Sequence, residues 1–199
     1  MFQNKFKNLV LILALTLTAQ QSHAFFVISP SLGYKMQTIK LTDTADVDKN
    51  VKMSDPTYGL KLGLQSMTGV GFDLSGDYTS GKSKISTSGT EQESNYTHTT
   101  AAAQLSVAAS AFKIYLGYVF MNEISLKNDI PANSSKIKGT GYQAGIALAL
   151  SSSFSLGAEY QIDQFSQINI ASVGSFEDIK NQYKKIDSQS TTIILAYRF

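Results

Sequence analysis

The sequence predicts an all-β protein: an eight-stranded antiparallel up-and-down transmembrane β-barrel preceded by a cleavable signal peptide. Three observations carry this expectation. Segments of about ten residues alternate between bulky apolar and small or polar side chains. The connections between them are alternately long and short. The N-terminus has the composition of an export signal.

The stretch "MFQNKFKNLVLILALTLTAQQSHA" opens with Lys5 and Lys7, continues in a mostly apolar run from Leu9 to Ala19, and closes on Ser22-His23-Ala24. A basic start, a short apolar middle and a small-x-small end make up a secretory signal peptide, and the run is too short for a membrane helix. Residues 1–24 are therefore assigned to the signal and residues 25–199 to a single barrel domain. Without Lys5 and Lys7 the chain carries 15 basic and 15 acidic residues. That balance argues against nucleic acid as a partner, because such proteins present a basic surface. No Cys is present, so no disulfide framework is expected.

The strands follow in order. "ISPSLGYKM" puts Ile28, Pro30, Leu32, Tyr34 and Met36 on one face. "PTYGLKLGLQ" puts Tyr58, Leu60, Leu62 and Leu64 against Lys61 and Gly63. "VGFDLSGDYT" sets Phe72, Leu74 and Tyr78 against Asp73 and Asp77. Thr97 to Val107 and Phe112 to Met121 are less regular, blurred by alanines and by Val119 and Met121. "GYQAGIALAL" and "FSLGAEYQID" restore the pattern, and "TTIILAYRF" sets Ile193, Leu195, Tyr197 and Phe199 against Ile194 and Arg198. Long polar connections such as "TDTADVDKNVKMSD" and "SGKSKISTSGTEQESN" alternate with short ones such as "SMTG" and "SSS". In a meander, every second connection emerges at the same end, so all four long loops gather at one rim.

Three hairpin registers follow from matching apolar with apolar. Leu148 faces Leu156, Val107 faces Ile114, and Leu64 faces Val70. The last of these sets Lys61 opposite Asp73 as a cross-strand ion pair.

The apolar face holds Leu, Ile, Phe and Tyr, and the other face holds Gly, Ser, Thr, Gln, Lys, Asp and Glu. An eight-stranded barrel has room inside only for a modest set of side chains. The bulky face therefore points to lipid and the small polar face inward, with tyrosines Tyr58, Tyr78, Tyr118 and Tyr142 at one rim and Phe112, Phe154, Tyr197 and Phe199 at the other. The expected interior polar network comprises Lys61, Asp73, Asp77, Gln143, Glu159, Gln161 and Arg198, joined by Lys35, Gln104 and Asp163.

These features together resemble the small eight-stranded outer-membrane barrels of Gram-negative bacteria, of the OmpA/OmpX type, over the whole chain after the signal. The resemblance implies an outer-membrane location with periplasmic termini, outer-membrane lipid and the barrel-assembly machinery as partners, and a monomer. It also implies that Leu195, Tyr197 and Phe199, in an alternating last strand with a terminal aromatic, are read as the assembly signal.

The expected role is structural or surface-interacting, with a polar plugged interior and an extracellular ligand held by the loops. A narrow channel for small or hydrophobic solutes is the alternative, and a lipid-modifying enzyme of the outer membrane the second. For the enzyme, His98 in "YTHTTAA" sits opposite Glu123 near the outer rim with both facing inward, and Thr100 two residues on is the candidate nucleophile. A solvated rim pair accounts for the same residues, so no catalytic residue is assigned. One His after the signal, no Cys and scattered carboxylates form no metal constellation. "GVGFDLSG" lies in a strand with no helix after it, so no phosphate loop and no cofactor are expected.

In the last loop, Phe176, Ile179 and Tyr183 fall on one side of "SFEDIKNQYKKID", as expected for a cap over the barrel mouth.

Overall fold

A computed structural model describes residues 24–44, 48–87, 90–127, 135–170, 176–181 and 183–199. The expected signal segment, apart from Ala24, lies outside the described residues. Eight long strands form one sheet: β1 (Phe25–Asp43), β2 (Asp48–Gln65), β3 (Val70–Thr87), β4 (Thr90–Ala109), β5 (Phe112–Lys127), β6 (Ser135–Ala149), β7 (Phe154–Ile170) and β9 (Tyr183–Tyr197). A two-residue strand, β8 (Glu177–Asp178), and a 3-10 turn at Ile179–Asn181 precede β9. Each long strand pairs antiparallel with its sequence neighbour, β7 pairs with β9, and β9 pairs with β1. The sheet is thus a closed eight-stranded up-and-down barrel. Closure satisfies the backbone of every long strand from within, as hydrocarbon requires. Beyond the β1–β9 ladder the Phe199 N–H donates to the Ile28 carbonyl at 3.0 Å, extending the seam to the last residue.

The side chains alternate as expected over the half of each strand nearer the short turns. Ile28, Leu32, Tyr34, Leu60, Leu62, Leu64, Phe72, Leu74, Leu116, Leu156, Ile193 and Leu195 are exposed on the outer face, while Lys35, Asp73, Gln104, Gln143, Glu159 and Gln161 are buried inside. Tyr58 faces Tyr78 and Tyr118 faces Tyr142 across their ladders, giving one aromatic level. Phe154, Tyr197 and Phe199 stack edge to face at the other, with ring centroids 4.9 and 4.6 Å apart.

Three expectations need correction. First, the strands are 15 to 20 residues long, against about 9–11 needed to cross a bilayer. Much of each polar connection read as loop is strand, leaving residues 44–47, 88–89, 128–134 and 171–182 between the long strands.

Second, the β2–β3 hairpin closes two residues away from the expected register. Leu64 faces Phe72, and Lys61 faces Ser75 instead of Asp73. The turn is set by the Ser66 N–H donating to the Val70 carbonyl at 2.8 Å, with Gly69 in the left-handed region at φ 87°. The Lys61–Asp73 pair therefore does not form.

Third, a bulge inserts Phe120 between Ala101 and Ala102 of the facing strand, so that Phe120 and Met121 both point outward. The alternation beyond it changes phase. His98 then faces Ile124, and Glu123 points outward to Lys136 and Lys138 at 3.5 and 3.2 Å. The inward His98–Glu123 pair is overturned. The β4–β5 and β6–β7 hairpins keep their expected registers, Val107 with Ile114 and Leu148 with Leu156.

Candidate functional site

The candidate site is the barrel interior, which is built in layers from the short-turn end upward. Cross-strand glycines make room for it. An added Cβ on Gly63 would meet the Asp73 side chain, on Gly141 the Asp163 side chain, and on Gly145 the Tyr115 ring. Gly63 faces Asp73 and Gly141 faces Asp163 across their ladders. Each larger polar side chain thus lies over a neighbour that has none.

The lowest layer is a vestibule of about 170 Å³, lined among others by Lys61, Asp77, Lys113, Tyr115, Glu159 and Arg198, and by the serines of the 151–153 turn. Arg198 sits at its mouth, with its guanidinium 5.0 Å from the Phe25 ring centroid. Lys113 Nζ donates to Asp73 Oδ2 at 2.8 Å, and the Ser106 hydroxyl donates to the same oxygen at 3.4 Å. Lys61, freed from the expected partner, lies 4.2 Å over the Tyr115 ring. The Tyr115 hydroxyl donates to Glu159 Oε2 at 3.0 Å, Gln104 Nε2 donates to Ser75 Oγ at 3.1 Å, and the Thr100 hydroxyl donates to Asp77 Oδ2 at 3.5 Å.

Above the vestibule a further set of polar side chains is buried. Lys35 is buried among the charges of Asp163, Asp77 and Glu159. Gln161 Nε2 donates to Asp163 Oδ1 at 2.7 Å, Gln37 Nε2 donates to Ser188 Oγ at 2.7 Å, and His98 Nε2 shares a hydrogen bond with Asn122 Oδ1 at 2.8 Å. Gln143 is buried, with its Nε2 lacking a protein partner. Among the described residues, four cations, Lys35, Lys61, Lys113 and Arg198, share the interior with five carboxylates, Asp55, Asp73, Asp77, Glu159 and Asp163. At the top of this layer the Tyr96 hydroxyl donates to Asp55 Oδ2 at 2.9 Å.

The third layer is apolar. Ile39, Val51, Met53, Tyr96, Ile124, Ile137, Phe165, Ile168, Ile179 and Ile186 form one buried cluster inside the far end of the barrel. Ile179 reaches it from the 3-10 turn, Tyr183 packs against it, and Phe176 lies outside, 4.0 Å from Lys138 Nζ. Over the same residues the outer face turns polar, with Lys40, Lys52, Ser54, Lys82 and Lys84 exposed. One chain thus carries an inside-out section with bulky apolar groups facing lipid and, continuous with it, a section with an ordinary apolar core.

All seven residues expected in the interior network, Lys61, Asp73, Asp77, Gln143, Glu159, Gln161 and Arg198, lie on the inner face or at its mouth. Lys113 and Tyr115 were missed, though the parity of the β4–β5 hairpin already places both inward. The candidate catalytic residues are not brought together. His98 is bonded to Asn122 inside the lumen, Thr100 is turned to Asp77, and Glu123 is outside.

Comparison with known proteins gives the family. The structure of Neisserial surface protein A is similar to this chain at TM-score 0.53 and 13% identity, covering 88% of this chain and 99% of that one. That of Ail, the attachment invasion locus protein of Yersinia pestis, is similar at TM-score 0.55 and 15% identity, covering 87% and 99%. At such identities the likeness is one of fold. No curated protein matches the sequence significantly. The family model described as outer membrane protein beta-barrel domain matches residues 9–199, and the chain belongs to that family.

Proposed function

We propose that the chain is a non-conducting outer-membrane barrel with a structural or surface-interaction role, its lumen plugged and its far rim presented outside the cell. The observation that carries this reading is the apolar cluster around Ile39, Met53, Ile124 and Ile186 stacked on the buried polar layer. A hydrated solute or ion entering from the rim would meet an apolar core and then a layer of side chains that already fill the space. The vestibule lies on the short-turn side of both, so it is a blind pocket facing the periplasm. The attachment role in the name of Ail belongs to Ail, and it favours the interaction half of the reading. Against an enzyme stands the separation of His98, Thr100 and Glu123 just described, since acyl chemistry needs a nucleophile and its base within hydrogen-bond reach.

The same reading places the termini in the periplasm and takes Leu195, Tyr197 and Phe199 as the segment recognised by the assembly machinery. The exposure of Leu195 and Phe199 on the outer face supports that assignment. Purified protein in planar bilayers tests the plug. It is expected to give no unitary conductance at neutral pH, and stable, uniform channel openings would replace this reading with the narrow channel.

A further inference from the structure

The vestibule holds a set of donors that the interior network leaves out. Ser29 of β1 faces Lys61 of β2. On its other side the Phe199 N–H donates to the Ile28 carbonyl, which sets Arg198 beside the same serine across the β1–β9 seam. Lys61, Ser29 and Arg198 thus stand on three adjacent strands, and all three line the cavity. Among the described residues neither cation has a carboxylate in ion-pair range. Lys61 lies over the Tyr115 ring and Arg198 over that of Phe25, and a ring face occupies no N–H donor. Lys113, the third cation lining the cavity, is taken by Asp73.

Gln65 completes the set. It follows Lys61 by four residues on the inner face and lines the same cavity. It is 8% exposed, and its amide has no hydrogen-bond partner among the described residues. A buried amide without a partner is unfavourable, so a group that bonds to it there is favoured.

The two carboxylates of the cavity lie deeper. Asp77 faces Gly59, one inward position beyond Lys61, and Glu159 faces Thr192, six residues before Arg198. They already accept hydrogen bonds from Thr100 and Tyr115. With free cations at the mouth and carboxylates at the floor, one anionic head is attracted near Arg198 and a second negative charge further in is repelled. Between the two runs an apolar wall that includes Val27, Ala147, Ile194 and Ala196. The cavity, about 170 Å³, equals about six waters at about 30 Å³ each. That is room for a compact molecule and too little for a long acyl chain.

We propose that the vestibule binds a small monocarboxylate with a compact apolar body. Lys61, Arg198, Ser29 and the Gln65 amide hold the carboxylate, and the body lies against the Val27–Ala147–Ile194 wall. Charge-assisted hydrogen bonds from guanidinium and ammonium groups are the strong ones available to a carboxylate. The inference goes beyond the structural role and stands whether or not the lumen conducts, so this experiment and the bilayer one fail independently.

The probe is trifluorobutyrate, followed by fluorine NMR relaxation as full-length folded protein in neutral detergent is added at constant ionic strength. Saturable broadening with roughly millimolar affinity is expected. The neutral trifluorobutyramide and the dianion trifluoromethylsuccinate should bind about tenfold more weakly or worse, and trifluoroacetate, which lacks the body, should also bind more weakly. Lys61→Gln and Arg198→Gln should each weaken trifluorobutyrate about tenfold, the loss of one charge-assisted hydrogen bond. Ala196→Phe, which fills the cavity without changing its charge, should abolish binding. K136Q/K138Q, outside the barrel at the far end, should bind like the parent.

Should a charge variant fail to fold, as judged by heat-modifiable gel mobility, Gln65→Leu at the rim replaces it, with a loss of about fivefold expected. No saturable broadening with the parent overturns the proposal. Equal binding by the folded Lys61→Gln and Arg198→Gln, or by Gln65→Leu in their place, overturns the site. Equal binding of the amide overturns the anion, equal binding of the dianion overturns the charge polarity, and equal binding of trifluoroacetate overturns the apolar wall.

Discussion

Ile124→Asp is expected to open the far section of the barrel while leaving the protein in the membrane. Ile124 is fully buried in the apolar cluster, between β4 and β6. Losing its burial costs about 1.5–3 kcal/mol, and burying a carboxyl group with no partner adds about 2 kcal/mol or more. The sum approaches the whole net stability of an ordinary domain, about 5–15 kcal/mol. The membrane section has its own lipid contacts and ladder, so the damage should stay above the tyrosine level. Limited trypsin digestion from outside intact cells reads this, since Lys127, Lys136 and Lys138 lie in or beside the strands concerned. The variant should be cut there while the membrane section stays protected. Glu123→Ala, one residue away and outward, should cost only about 0–1 kcal/mol, because its pairs with Lys136 and Lys138 are largely solvated. Equal resistance of Ile124→Asp and the parent would mean that the far section has no packed core.

Leu195→Arg should be the most damaging single change on the membrane face. Leu195 lies between Leu32 and Leu156 on the outer wall, midway between Thr191 and Phe199. A charge facing lipid near the midplane costs about 2–4 kcal/mol and less towards either interface. Ile194→Arg makes the same chemical change one residue earlier, on the wall of the vestibule that Glu159 also lines. It should cost clearly less, because the added charge meets a polar lumen instead of hydrocarbon. Urea unfolding in vesicles with heat-modifiable mobility as readout compares the two. If Ile194→Arg proves the more harmful, the faces of β9 are reversed.

What the sequence made legible was parity. Alternation in residues 28–36, 58–64 and 154–162 tells which side chains share a face, and with the bulk argument it tells which face meets lipid. Parity does not fix register. Shifting β3 against β2 by two residues keeps every side chain on its face, so Lys61 opposite Asp73 and Lys61 opposite Ser75 satisfied the pattern equally. Only the turn at Ser66–Gly69 decides between them.

Parity is also lost at a bulge. Val119 and Met121 had already broken the alternation in the sequence, and the extra residue at Phe120 is the cause. It carried Glu123 from the inner face to the outer one. The layered interior was hidden for a related reason. In β1 the apolar residues move from even positions, Ile28 to Met36, to odd ones, Ile39 and Leu41, with no bulge between. Val51 and Met53 stand in the same relation to Tyr58 and Leu60. That change marks where the strand leaves lipid for water and its core moves inside, yet among so many Asp, Lys and Thr residues it reads as loop.

One set of strands is inside-out in the membrane and conventionally packed above it. The chain has no Cys, so single cysteines can be placed along β2 from position 51 to 64 and spin-labelled, and collisions with oxygen and with a water-soluble nickel chelate can be compared in vesicles. The account predicts oxygen-dominated labels at 60, 62 and 64, nickel-dominated labels at 52 and 54, and labels shielded from both at 51 and 53. Nickel access at 60 and 62, or oxygen-dominated labels at 51 and 53, would contradict it.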